Sequence, residues 1–227
     1  MTDTPPIRLA CLDMAGTTVA DDGLVLAAFA AALDALKVTG EDERARMTRY
    51  VVDTMGESKI TVFRALFPGE EAAAQEGNAA FETAYGERVA LTRPLPGAEQ
   101  TFRALREAGV QVALTTGFSR TTADALLAHL GWHGLVDLSL TPGDVGGRGR
   151  PHPDMIQAAA ARLSVRDPRA VAVVGDTASD IRSGLAAGAR IVAGVLTGAH
   201  DRPTLAAAGA TAVLERVGEL PALLGEG

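Results

Sequence analysis

Three apolar runs of strand length, at residues 7–12, 110–114 and 170–174, each stop at a short polar or glycine-bearing turn. Runs of this length between turn signals are the pattern of strands buried on both faces, as in a parallel sheet. Between and after them, apolar residues repeat at helical spacing at 99–107, 121–130, 153–163 and 181–187. Strands alternating with helices predict an α/β fold, a Rossmann-like doubly wound parallel sheet covered on both sides. At 227 residues and 47% apolar content, the chain is long enough to bury such a core.

The segment from 21 to 91 breaks this alternation. It carries no strand pattern, and its apolar spacing predicts helices at 25–36, 41–55, 59–67 and 70–89, the last with an interruption expected near Gly77. Gly56 separates the second from the third, and Pro68-Gly69 stops the third. Arg93-Pro94-Leu95-Pro96-Gly97 reads as a linker returning to the core. The expected organisation is a core of residues 1–20 and 92–227 with a small helical cap domain, 21–91, inserted in it.

The first run ends in Cys11-Leu12-Asp13-Met14-Ala15-Gly16-Thr17-Thr18. A carboxylate at the carboxyl end of a parallel strand lies where open α/β sheets bind ligands, and Gly16 permits a sharp turn. The second run ends in Thr115-Thr116-Gly117, hydroxyls followed by a glycine that lets backbone approach an anion. A glycine-rich loop, 143–149, leads into Arg150, whose guanidinium can pair with carboxylate or phosphate. The third run ends in Gly175-Asp176-Thr177-Ala178-Ser179-Asp180. Each piece has an ordinary explanation, as a capped turn, a bare turn or a solvated arginine. Their order, three of them directly at strand ends, is what singles them out.

Together they resemble the four motifs of the haloacid dehalogenase superfamily. The resemblance implies that Asp13 is the nucleophile that takes a phosphoryl group as an aspartyl phosphate. Thr115, Thr116 and Gly117 would hold phosphate oxygens, Arg150 would balance the charge, and Gly16 and Thr17 would support the first turn. It implies Mg²⁺ on Asp13, Asp176 and the backbone carbonyl of Ala15, few ligands of the kind a hard cation takes beside waters and substrate oxygens. Asp180 orients the loop or caps the following helix, with outer-sphere metal contact as the alternative. A helical insert between the first two motifs is, in this superfamily, a small cap that closes over the site and selects the substrate.

Two positions narrow the resemblance. Ala15 stands where the superfamily has a second aspartate, the acid for the leaving oxygen, and Arg150 stands where it usually has lysine. Both are features of the phosphonatase branch, the phosphonoacetaldehyde hydrolases. There a cap lysine follows a Met-Gly pair, and Met55-Gly56-Glu57-Ser58-Lys59 puts Lys59 on it. Of 21 lysines and arginines, only Lys37 and Lys59 are lysines, and arginine cannot form an imine whereas lysine can. The implied chemistry is a Schiff base of Lys59 with the carbonyl of a 2-oxoalkyl phosphonate, which lets carbon leave as an enamine without an acid at position 15. Met55 and Phe118 are expected to contact the substrate. Val62, Phe118 and Leu24 stand where the branch has histidine, tyrosine and cysteine. A related, more apolar 2-oxo phosphonate is therefore the expected substrate.

The remaining features bound the partners. Net charge −7 and a pI near 5.1 argue against nucleic acid. No apolar run approaches a membrane span, and the first residues lack a signal-peptide profile. Cys11, the only cysteine, permits no intrachain disulfide and fits a cytoplasmic protein. His129, His133, His152 and His200 lack metal-ligand spacing and read as surface or helix-end residues. The resemblance suggests a homodimer through the cap, for which residues 25–36 are either the face or simply the cap's own core. Two other functions stay open: a phosphomonoester or acyl-phosphate phosphatase in which Lys59 is only a charge, and a non-catalytic phosphoryl-ligand binder. Retention of Asp13, Thr115, Arg150 and Asp176 together argues against the second. A haloalkanoate dehalogenase would have no use for the acidic fourth motif.

Overall fold

The computed structural model describes residues 5–225. Strands β1 (Leu9–Asp13), β2 (Gln111–Thr115), β3 (Leu138–Leu140), β4 (Val171–Gly175), β5 (Ile191–Val195) and β6 (Ala212–Leu214) form one sheet in the order β3-β2-β1-β4-β5-β6. All five pairings are parallel. The chain winds outward from β1 through β2 to β3, then crosses back to β4 on the other side of β1. The crevice at the carboxyl ends of β1 and β4 is the switch point where such sheets bind ligands.

Between β1 and β2 lie α1 (Leu24–Ala35), α2 (Glu41–Asp53), α3 (Lys59–Leu66), α4 (Glu71–Gly86) and α5 (Ala98–Glu107). The remaining helices are α6 (Arg120–Leu130), α7 (Asp154–Arg162), α8 (Ala178–Ala186), α9 (Arg202–Ala207) and α10 (Leu220–Gly225). Period-two alternation sorts β1 between two cores: Ala10 and Leu12 pack with α5, α6 and α10, while Leu9 and Cys11 pack with α7 on the opposite face. Cys11 is core, and burial pushes its thiol up to about 12. Strands β3, β5 and β6 were not among the predicted runs. The first and last are three residues long and partly exposed, too short for a periodic signal, and β5 is diluted by Gly194.

Helices α1 to α4 form the strand-free insert. Helix α1 lies mainly along α4, and α3 also packs on α4. Phe29 is the hinge of their packing, with ring centroids 5.1 Å from Phe63 and 4.6 Å from Phe81. The break expected at Gly77 does not occur, since α4 runs through it. A Cβ there would sit 2.7 Å from Phe63 and 2.9 Å from Leu36, so the glycine serves close helix packing instead. On α1, Val25, Ala28, Phe29, Ala32 and Leu33 are buried. No helix among the described residues is long and apolar enough to cross a membrane.

Candidate active site

The sheet itself brings the motif residues together. Asp13 ends β1 in register with Thr115 at the end of β2, and Asp176 follows the last residue of β4. Asp13 is 4% exposed and pairs with Arg150 Nη2 at 2.7 Å, while the other amino group of Arg150 meets Asp180. Asp180 also accepts the Thr177 N–H at 3.1 Å and its hydroxyl, closing a capping box at the start of α8. Of the readings offered for Asp180, helix capping is therefore met, together with a buried pair to Arg150. Asp176 accepts the Ala199 N–H at 2.7 Å and the Thr17 hydroxyl at 3.1 Å.

Three buried carboxylates thus cluster beside one guanidinium, which pairs with two of them, Asp13 and Asp180. Each of Asp13, Asp176 and Asp180 offers an oxygen within 4.8 Å of the others. Burial, opposed by Arg150, pushes Asp13 up to about 6. Burial and then the negative charge of Asp13 hold Asp176 well above the usual carboxylate range. Buried carboxylates that repel one another lack positive charge, and all-oxygen donors of this kind suit a hard divalent cation. With Asp180 committed to its cap and to Arg150, Asp13 and Asp176 are the side chains that fit such an ion.

A cavity of about 440 Å³ opens over this cluster. Asp13, Ala15, Gly16, Arg150 and Asp176 line its floor. Thr116, Gly117 and Phe118 line it from the turn after β2, whereas Thr115, Thr17 and Asp180 are not part of its wall. Met55 and Lys59 come from the insert. Insert and core meet closely here: a Cβ on Gly117 would lie 2.5 Å from the Glu57 carbonyl oxygen, and one on Gly56 would lie 2.5 Å from the Thr177 hydroxyl. No larger residue permits that approach without a shift.

Lys59 is the first residue of α3 and is 6% exposed. Its Nζ donates only a long 3.5 Å bond to the Glu57 carbonyl and has no ion-pair partner among the described residues. The ring centroids of Phe29, Phe81 and Phe118 lie 5.8, 5.8 and 5.4 Å from it. Burial first, and then the charge of Arg150, bring Lys59 down to about 8 against the pull of Asp13, Asp21 and Glu82. An amine near that value is available in its neutral, nucleophilic form.

Several neighbours of the site escaped the sequence reading. Asp21 lines the cavity and caps the entry to α1 through the N–H groups of Gly23 and Val25. The loop after β5 supplies Thr197, Gly198 and Ala199. His200 is half-buried, accepts the Ala178 N–H at 2.9 Å and so braces α8 rather than lying free on the surface. A strand-end signal would have found this loop had β5 been recognised.

The chain and its fold are similar to those of known hydrolases. A phosphonoacetaldehyde hydrolase of Bacteroides fragilis is 33% identical over 59% of this chain and 59% of its own length. The chain thus spans about 59% of the length of the first curated relatives it matches. A phosphonoacetaldehyde hydrolase-like protein from Oleispira antarctica superposes with a TM-score of 0.83 over 98% of this chain and 93% of that one, at 23% identity. A hydrolase of the haloacid dehalogenase family from Deinococcus radiodurans, solved with bound phosphate and sodium, gives a TM-score of 0.70 at 26% identity over 97% and 96% of the two chains. The family model for haloacid dehalogenase-like hydrolases matches residues 7–188. That stretch starts before β1 and ends beyond α8, so it takes in every motif, and the chain belongs to the haloacid dehalogenase-like hydrolases.

Proposed function

We propose that this hydrolase cleaves the C–P bond of a 2-oxoalkyl phosphonate through an aspartyl phosphate on Asp13 and a Schiff base on Lys59. The observation that carries the reading is the Lys59 amine, buried without a carboxylate partner among the described residues and facing the same cavity as Asp13. A lysine kept only for its charge gains from a counter-ion, whereas one that must lose its proton gains from burial beside Arg150. The names of the curated relatives support the same branch.

The steps follow from the residues. Neutral Lys59 Nζ adds to the carbonyl carbon, water leaves, and the imine nitrogen takes up one proton from solvent, giving a protonated imine. An Asp13 carboxylate oxygen then bonds to phosphorus as the C–P bond breaks, and that electron pair moves through carbon into the imine to form an enamine. Protonation of carbon and addition of water release the carbonyl product from Lys59. A second water hydrolyses the aspartyl phosphate and frees Asp13. Carbon leaves as an enamine, so an alanine at position 15 costs nothing. Arg150 orients Asp13 through its 2.7 Å pair and lines the cavity in which the phosphoryl group would lie. Asp13, Asp176 and the Ala15 carbonyl would hold Mg²⁺, which would supply positive charge for the phosphoryl group. The insert acts as a cap domain that excludes water and brings Lys59 to the core.

Borohydride trapping with phosphonoacetaldehyde, followed by peptide mapping, tests the reading. The expected result is a reduced adduct on Lys59, phosphate release with Mg²⁺ when borohydride is omitted, and loss of both in Lys59→Arg. Full activity of Lys59→Arg on phosphate esters, with no adduct in the wild type, would establish the phosphatase reading instead.

A further inference from the structure

The cavity does not end at Lys59. Its outer wall is Val25 and Leu26 of α1, Val52 near the end of α2, Met55 just beyond it, and Leu95 of the returning linker. Leu26 and Val52 are 37% and 42% exposed, two of the four large apolar side chains exposed among the described residues. A single exposed leucine needs no explanation, but two on the wall of one cavity mark apolar surface waiting for a ligand. The charged groups at the same rim are paired with one another or with backbone there. Asp21 accepts the N–H groups of Gly23 and Val25, both at 3.1 Å, and Arg93 pairs with Asp22. The outer half of the cavity therefore presents mainly hydrocarbon.

Its size agrees. At about 440 Å³ the cavity falls within the roughly 300–1,000 Å³ of clefts that enclose drug-sized ligands. A two-carbon oxo phosphonate, with its phosphonate at Asp13 and its carbonyl at Lys59, has no further carbon to cover Leu26 and Val52. We infer that the substrate carries an alkyl chain of several carbons on its carbonyl carbon, seated against Val25, Leu26, Val52 and Met55. Its phosphonate lies at Asp13 and its carbonyl at Lys59; in this respect the inference rests on the C–P cleavage proposed above. The chain covers Leu26 and Val52, and each methylene it buries is worth up to about fourfold in binding, the equivalent of about 0.8 kcal/mol.

The test is a series of 2-oxopropyl, 2-oxopentyl and 2-oxoheptyl phosphonate, with phosphonoacetaldehyde as the reference. Phosphate release is measured with Mg²⁺, and borohydride trapping on Lys59 runs in parallel. We expect kcat/KM to rise with chain length by up to about fourfold per methylene, and the slope to flatten in Val52→Ser and Leu26→Ser, both exposed enough to leave the fold intact. A flat or falling series, with phosphonoacetaldehyde still trapped on Lys59 and still cleaved, overturns the alkyl chain and leaves C–P cleavage standing. No adduct and no phosphate from any member overturns both.

Discussion

Lys59 is pulled two ways by its surroundings. Three aromatic faces within 6 Å favour the ammonium, whereas burial first and then the charge of Arg150 favour the amine and bring it down to about 8. The ordinary value is 10.5, so between about 8 and 10.5 the unfolded chain binds the extra proton and stability rises with pH. Below about 8 both states are protonated and the folded protein carries the whole penalty. Lys59→Met should therefore raise stability at pH 7 by about 1–3 kcal/mol, read as a higher Tm, with the gain fading above pH 10 while imine trapping is lost. In the wild type the trapping rate should climb with pH to a midpoint near 8. Arg150 works in the opposite sense. It is 5% exposed between Asp13 and Asp180, and removing the partner of buried charges costs about 3–5 kcal/mol. Arg150→Met should show that loss in urea unfolding. Asp13, Lys59 and Asp176 were legible in the sequence because a strand end or a Met-Gly pair marks each. Asp21 and Glu82 were not, since a carboxylate on or beside a helix looks the same whether it meets water or a partner.

At the scale of elements, the contact of α4 with α6 decides how firmly the insert is held. Glu82 of α4 accepts the Ser119 N–H at 3.3 Å and the hydroxyls of Ser119 and Thr122, so a side chain of the insert caps the first turn of α6 beside Phe118. The Lys59 N–H adds a 3.4 Å bond to the Gly117 carbonyl. Losing Glu82 leaves three donors short, at a net cost of about 1–3 kcal/mol. Glu82→Ala should lower kcat and raise KM together, as expected where closure positions the lysine, and steady-state kinetics on phosphonoacetaldehyde checks it. The helices of the insert were readable from their 3.6-residue spacing, and β1, β2 and β4 from unbroken apolar runs. Edge strands β3 and β6 were not, because three residues cannot display a period. Gly77 misled for a physical reason: glycine lowers helix propensity locally, yet packing against Phe63 and Leu36 rewards it there.

For the molecule as a whole, the switch point of the sheet gathers negative charge that the fold alone does not balance. Asp13 sits at about 6 against an ordinary 3.8, so the folded chain holds its proton more tightly than the unfolded chain. In metal-free protein this contribution is present below about pH 4 and is lost as pH rises to about 6. Asp176 acts in the same direction, through burial and through repulsion from Asp13 and Asp180. A divalent cation that binds only the folded state should reverse the trend, adding about 2.7 kcal/mol at a hundredfold excess over its Kd. Melting at pH 7 should thus show a higher Tm with Mg²⁺ than with EDTA, and EDTA should also stop phosphate release. Asp176→Asn separates the two effects. Without metal the variant should be more stable than wild type, because one of the repelling carboxylates is gone while the Ala199 N–H keeps an amide oxygen to bond. With Mg²⁺ its Tm should no longer move. An unchanged Mg²⁺ shift in Asp176→Asn would place the ion elsewhere, and a variant less stable than wild type in EDTA would mean that the hydrogen bonds of Asp176 outweigh its repulsion.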